Sequence, residues 1–266
     1  MKAGTTTLFD WLGQGDDVCL PTVKEPAHLA APSFGQAEQR EYRQLFATDA
    51  LTGEASVRYG WPDEAPVVAR RLLTLPRRPR LLFLAREPED RLRSDYRHGV
   101  LRGRERRPFA DAVADPAASV VQRSRYSLTL GTYRRVLGQA PFVVRSEDLF
   151  GDDHATWDAV VAHLGLDPRP RPTNARNRTA ERPATTALGR AIFDRPVAAR
   201  AVRRLEGAAG AVPAPVRTIG RRLLQREADD TVDDLLATAD APLPAAPARV
   251  LVDERERLAD DWGLRW

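Results

Sequence analysis

The chain has 266 residues, 41 Lys plus Arg against 37 Asp plus Glu, and a formal net charge of +4. That length and its 42% of hydrophobic residues suit one α/β domain with a real core, and the balanced charge speaks against a protein built mainly to bind nucleic acid. A single cysteine, Cys19, excludes an intrachain disulfide and a cysteine-built metal site, while the lack of a secretory signal or an apolar run of spanning length makes the cytoplasm the expected location. The bases are nearly all arginine, as a coding bias would give. Lys2 and Lys24, the only lysines, therefore stand out as positions where a compact ammonium is wanted.

Residues Lys2-Ala3-Gly4-Thr5-Thr6-Thr7 precede the apolar stretch Leu8 to Leu12. A glycine lets backbone come close to an anion, and threonine hydroxyls and first-turn N–H groups then point at it, so this reads as a phosphate cradle opening a helix. Such a loop normally hangs from a buried strand. Met1 stands where that strand should end, so the sheet is expected to have a truncated first strand.

Downstream, Val18 to Pro21 reads as extended, 38–46 as a helix, 51–55 as a short strand and 64–75 as a helix. Arg80 to Ala85 is a continuous apolar run after Pro79, which predicts a strand covered on both faces. Helices follow at 89–101 and 119–137, then a second buried strand at 141–145 and a helix at 153–164 closed by Gly165. This alternation predicts a central parallel sheet flanked by helices, a three-layer α/β fold in a single domain over 1–266. From about 167 the chain becomes rich in Pro and Arg. A loop and then helices at about 185–206, 213–228 and 248–262 predict a helical C-terminal extension.

Arg86 falls at the C-terminal end of the first buried strand, and Ser94 lies eight residues on, in the following helix. Open α/β sheets bind ligands at strand C-termini, where an arginine can fork onto a phosphate and a serine can add a donor.

Taken together, Lys2-x-Gly4-Thr5-Thr6 and Arg86-x7-Ser94 resemble the two nucleotide motifs of the sulfotransferases that use 3′-phosphoadenosine 5′-phosphosulfate, a P-loop-like fold. Lys24-Glu25-Pro26 and Gly53-Glu54-Ala55-Ser56-x-x-Tyr59 resemble segments of its bacterial and heparan-type members. The stretch Arg145 to Leu149 and the closing Leu258-x3-Trp262-Gly263-Leu264-x-Trp266 resemble others, so the likeness spans nearly the whole chain. The departures are the short start, Val57 in place of a proline, and the less aromatic Ala27-His28-Leu29.

The resemblance implies a role for each motif. Lys2 contacts the leaving-group oxygen. Lys2 to Thr7, including Ala3 and Gly4, hold the 5′-phosphosulfate, and Arg86 and Ser94 hold the 3′-phosphate. Glu25 is the general base, with His28 as its understudy, and Lys24, His28 and Tyr59 face the acceptor. Arg176 and Arg178 belong to a basic loop that closes over the nucleotide. No metal is required, because lysine and helix-terminal N–H groups carry the charge. The acceptor is expected to be a small molecule or glycan, with no nucleic-acid partner and no integral membrane segment.

Two other classes remain open from the residues alone. One is a nucleotide kinase or NTPase, although Gly-x4-Gly-Lys-Ser/Thr is absent. The other is an arginine-rich nucleic-acid binder, suggested by 102–107 and 200–204, although no recognised motif accompanies them.

Overall fold

The computed structural model describes residues 3–46, 50–152, 154–173, 184–185, 225–226 and 230–266. These form two compact units. The first is Met1–Leu92, Pro116–Asn177 and Ala245–Trp266; the second is Arg93–Asp115 and Arg178–Pro244.

The first unit begins with helix α1 (Thr5–Leu12), strand β1 (Val18–Cys19) and helix α2 (Gln36–Gln44). Strand β2 (Leu51–Thr52) pairs parallel with β1, and helix α3 (Ala65–Leu72) follows. Strand β3 (Leu82–Ala85) then leads into helix α4 (Pro88–Leu101), which continues into the second unit. There α4 is followed by α5 (Phe109–Val113). Back in the first unit come α6 (Ser119–Gln122), α7 (Tyr126–Leu137), strand β4 (Phe142–Arg145), α8 (Ser146–Leu149) and α9 (Ala155–Leu164). The second unit adds an antiparallel pair, β5 (Ala184–Thr185) with β6 (Gln225–Arg226), and helix α10 (Asp230–Ala237). The first unit closes with α11 (Ala245–Trp262). Most of the helices expected at 185–206 and 213–228 lie outside the described residues.

Strand β3 decides the architecture of the first unit. It pairs in parallel with β4, with Leu82 opposite Phe142 and Ala85 opposite Arg145. Side chains of a strand alternate between faces, and here each face has its own core. Leu82, Leu84, Phe142 and Val144 pack with Leu8 and Trp11 of α1 and with Trp157, Val160 and Val161 of α9. Phe83, Ala85 and Val143 pack with Tyr126 and Leu130 of α7 and with Leu258 of α11. The pair is thus covered on both sides, as the continuous apolar runs predict. The parallel strands stand as two separate pairs among the described residues, a narrower arrangement than one wide sheet. Helix α11, expected as part of an extension, is built into the core through Leu251 and Leu258.

The helix expected over 119–137 is interrupted between α6 and α7, where Ser124 is anchored to the start of α4. The buried Ser124 hydroxyl donates to the Pro88 carbonyl at 2.9 Å and accepts from Arg91 Nε at 2.8 Å. The restart of α7 is capped from outside its own sequence. Glu254 of α11 accepts both the Ser127 N–H (2.7 Å) and the Ser127 hydroxyl (2.6 Å), which satisfies a first-turn donor.

The second unit is organised around Tyr96 and Thr238. The Tyr96 hydroxyl lies 2.9 Å from the Arg107 carbonyl and 3.0 Å from Thr238 Oγ1, which also accepts the Phe109 N–H at 2.9 Å. Arg93 covers the Phe109 ring and donates to the Ala239 carbonyl at 2.6 Å.

Candidate functional site

Gly4 is the N-cap of α1 and has φ 87°, the left-handed region. Glycine is needed there twice over. Any other residue would be strained, and a Cβ would collide with the edge of the Phe150 ring. Phe150 is held in turn by Trp11, edge to face at 5.2 Å, and Trp11 by Trp157 at 5.8 Å. The first intrahelical bond runs from the Leu8 N–H to the Gly4 carbonyl at 3.1 Å, so the N–H groups of Thr5 and Thr6 have no acceptor within the helix. Lys2 lies outside the described residues, as do Arg176 and Arg178.

The end of β3 reaches the same place. The buried Ser146 hydroxyl lies 2.8 Å from the Ala3 carbonyl and 2.8 Å from the Ala85 carbonyl. Gly4 and Arg86 are the next residues along each segment, so the helix start and the strand-end arginine are tied together at one atom. Arg86 is paired only loosely, with Asp90 at 3.3 Å, and Asp90 is 57% exposed; such a pair contributes little. Most acids around it are tied more closely. Glu87 accepts from Arg255 Nε at 2.7 Å and from the Asp90 N–H at 2.7 Å. Glu147 accepts the Glu87 N–H at 2.9 Å and the Trp266 indole N–H at 3.0 Å. At the end of β4, Arg145 donates to Asp148 with two nitrogens, one of them Nε at 2.7 Å, and this hydrogen bonding holds the Asp148 carboxyl below its usual range. Ser94 lies on α4 in the second unit and is buried.

A second group of expected residues sits on the segment from Lys24 to the 3-10 turn His28–Ala30. Glu25 (φ 65°) and Ala27 (φ 53°) both adopt the left-handed conformation without being glycine, a strain of about 1–2 kcal/mol each. Lys24 Nζ contacts Glu25 Oε1 at 2.6 Å. The backbone is pinned from the side. Ser56 Oγ accepts the Ala27 N–H at 3.0 Å, and the Tyr59 hydroxyl accepts the Leu29 N–H at 3.1 Å. Both hydroxyls donate to Glu54, at 2.6 and 2.7 Å. Burial, reinforced by the Glu54 charge, raises the Tyr59 hydroxyl pKa well above its usual value, so it stays a donor. Tyr59, expected to face the acceptor, therefore has its hydroxyl engaged in holding this segment. Leu29 and Ala30 pack with Tyr42, Val68 and Tyr133, a different core from the one under Gly4. The two cores are neighbours along the chain at β3: Leu81, the residue before the strand, packs on one, and Leu84 within it packs on the other.

Sequence reasoning passed over Ser146, Glu54 and Phe150. Ser146 was legible only as the residue after a strand end. Glu54 was legible only as a member of the Gly53 to Tyr59 motif, with no role attached, and Phe150 offered no signal, because the Gly4 it covers is distant in sequence.

Fold and site together define a parallel α/β protein in which a glycine-capped helix start and a strand-end arginine meet at one edge. Among solved structures, that of a sulfotransferase from Alicyclobacillus acidocaldarius is similar to this chain, with a TM-score of 0.52 and 24% identity over 81% of this chain and 95% of that one. At that identity the likeness concerns the fold. No family model and no curated protein matches the sequence. No helix among the described residues is long and apolar enough to cross a membrane.

Proposed function

We propose that the protein is a sulfotransferase that moves a sulfuryl group from 3′-phosphoadenosine 5′-phosphosulfate to a hydroxyl of a carbohydrate, glycolipid or secondary metabolite. The observation that carries this reading is the shared Ser146 hydroxyl, which keeps the Gly4 helix start beside Arg86. A ligand anionic at both ends suits that pairing: first-turn N–H groups take one end and a guanidinium takes the other. The solved structure of similar fold is itself a sulfotransferase.

In this reading Gly4, Thr5, Thr6 and Thr7, with Ala3 behind them, hold the 5′-phosphate. Arg86 holds the 3′-phosphate, and the sequence resemblance adds Ser94 as a second donor. Arg176 and Arg178 are assigned to the same nucleotide on that resemblance alone. Glu25 takes the proton from the acceptor hydroxyl. The acceptor oxygen forms a bond to sulfur as the bond from sulfur to the 5′-phosphate oxygen breaks. Lys2 neutralises the charge left on that oxygen, and adenosine 3′,5′-bisphosphate leaves. Lys24 and His28 orient the acceptor. Near in-line placement and charge stabilisation supply most of the acceleration, and no metal is needed for either.

Calorimetric titration with adenosine 3′,5′-bisphosphate tests the reading directly. Saturable binding is expected, with affinity falling at least about tenfold in Arg86→Ala, as loss of a charged hydrogen bond implies. Transfer of 35S label from the donor to a panel of oligosaccharide, glycolipid and phenol acceptors then identifies the substrate class. Magnesium-dependent ATP hydrolysis without bisphosphate binding would overturn the proposal.

A further inference from the structure

We infer that Glu54 is a positioning residue for the reaction, setting through the Ser56 and Tyr59 hydroxyls the backbone that presents Glu25 and His28. This rests on the sulfotransferase reading, in which Glu25 is the base.

The directions of the hydrogen bonds are forced. An amide N–H can only donate, so Ser56 Oγ and the Tyr59 hydroxyl must accept from Ala27 and Leu29. Each hydroxyl then has one hydrogen left, and each sends it to a different oxygen of Glu54, Ser56 to Oε2 and Tyr59 to Oε1. One carboxylate thus aims two sets of lone pairs at two amides that flank His28. Tyr59 is anchored again at its backbone, whose carbonyl accepts the Tyr133 hydroxyl at 2.8 Å. Arg71 Nη1 also donates to the Leu29 carbonyl (3.0 Å) and the Ala31 carbonyl (2.6 Å). The segment so clamped carries Glu25 and Ala27 in conformations that non-glycine residues rarely hold and that persist only where surrounding contacts fix them. The two relays supply such contacts. They act at Ala27 and Leu29, two and four residues beyond the residue proposed as base. The Gly53 to Tyr59 stretch thereby gains a role that its sequence does not announce.

Replacing Glu54 by glutamine leaves one acceptor oxygen and puts an NH2 donor where the other stood. One hydroxyl must then turn its hydrogen away, and its relay loosens. A displacement on the order of 1 Å at the base lowers turnover by up to about 10²-fold, while nucleotide contacts at Gly4 and Arg86 are untouched.

Two measurements on the full chain test this. The first is amide hydrogen exchange, which needs no activity. Ser56→Ala should cost protection at Ala27 alone, Tyr59→Phe at Leu29 alone, and Glu54→Gln at one or both, with the rest of the backbone unchanged. The second is turnover of 35S-labelled donor against the pooled oligosaccharide, glycolipid and phenol acceptors, with release of inorganic sulfate to water counted as a product. Glu54→Gln should lower kcat at least about tenfold and leave the donor KM within about twofold. In a Glu25→Gln background the same change should have almost no further effect, because Glu54 acts through Glu25. Equal factors in both backgrounds, or unchanged exchange at Ala27 and Leu29 in Glu54→Gln, would overturn the positioning role while leaving the sulfotransferase reading intact. Wild-type turnover in Glu25→Gln alone would instead remove Glu25 as base and the positioning role with it.

Discussion

The carbonyl oxygens of Ala3 and Ala85, from opposite ends of the first 90 residues, meet at one hydroxyl, that of Ser146, 2.8 Å from each. A hydroxyl has one hydrogen, so the two carbonyls share it. Ser146→Ala should leave both carbonyls without that donor and cost about 1–3 kcal/mol, read from urea denaturation. Because the contact also sets how Gly4 faces Arg86, affinity for adenosine 3′,5′-bisphosphate should fall in the same variant. Unchanged affinity would separate the hydroxyl from the proposed site.

Gly4 and Gly138 offer a matched comparison. Both are left-handed, with φ 87° and 71°, but a Cβ at Gly138 meets nothing within 4 Å, whereas one at Gly4 meets Phe150. Gly138→Ala should therefore lose only the conformational term, about 1–2 kcal/mol. Gly4→Ala should lose that and more, and Phe150→Leu in the same chain should recover part of the excess. Thermal midpoints of wild type and the three variants decide this; equal losses at the two glycines would show that the ring yields freely.

Glu254 gives a pH signature. Burial raises its carboxyl pKa above the ordinary value of 4.5, against the opposing effect of the two Ser127 hydrogen bonds. The folded state therefore holds this proton more tightly than the unfolded one. The stability it contributes is fully present below 4.5 and is lost as pH rises through the folded pKa. Asp148 runs the other way. Its depressed carboxyl adds stability above its unfolded value of 3.8, and that is lost as pH falls. Subtracting the urea stability of Glu254→Gln from that of wild type, between about pH 4 and about pH 8, isolates the first effect. The difference should decline as pH rises; a flat difference would mean that Glu254 titrates normally.

Glu25→Gln should reduce transfer about 10²–10⁴-fold, the usual contribution of a positioned base. Bisphosphate affinity should be unchanged, since Glu25 belongs to the segment built on the Leu29 and Tyr42 core. Parallel loss of affinity and turnover would place Glu25 with the nucleotide instead.

Local pattern carried a good deal of this molecule. The apolar runs at 80–85 and 141–145 predict strands covered on both sides, and β3 and β4 are that parallel pair, because an uninterrupted hydrophobic run leaves no face for water. Gly4 and Gly165 were legible as helix punctuation, since the left-handed conformation each adopts is one that only glycine takes without strain. Local chemistry singled out Gly4 to Thr7 and Arg86, and the family resemblance alone added the Lys24 to His28 segment.

What the sequence by itself determined was which short stretches become strands, helix starts and charged loop segments, because those choices rest on the chemistry of near neighbours. Only the tertiary structure decided that Ser146 joins Ala3 to Ala85, that Glu54 reaches Ala27 and Leu29 through two hydroxyls, that Phe150 closes over Gly4, and that Glu254 of the last helix caps α7. Each of these contacts joins residues brought together by packing around β3 and the neighbouring cores. A hydrogen bond carries no trace in the sequence near either partner when the chain between them is long.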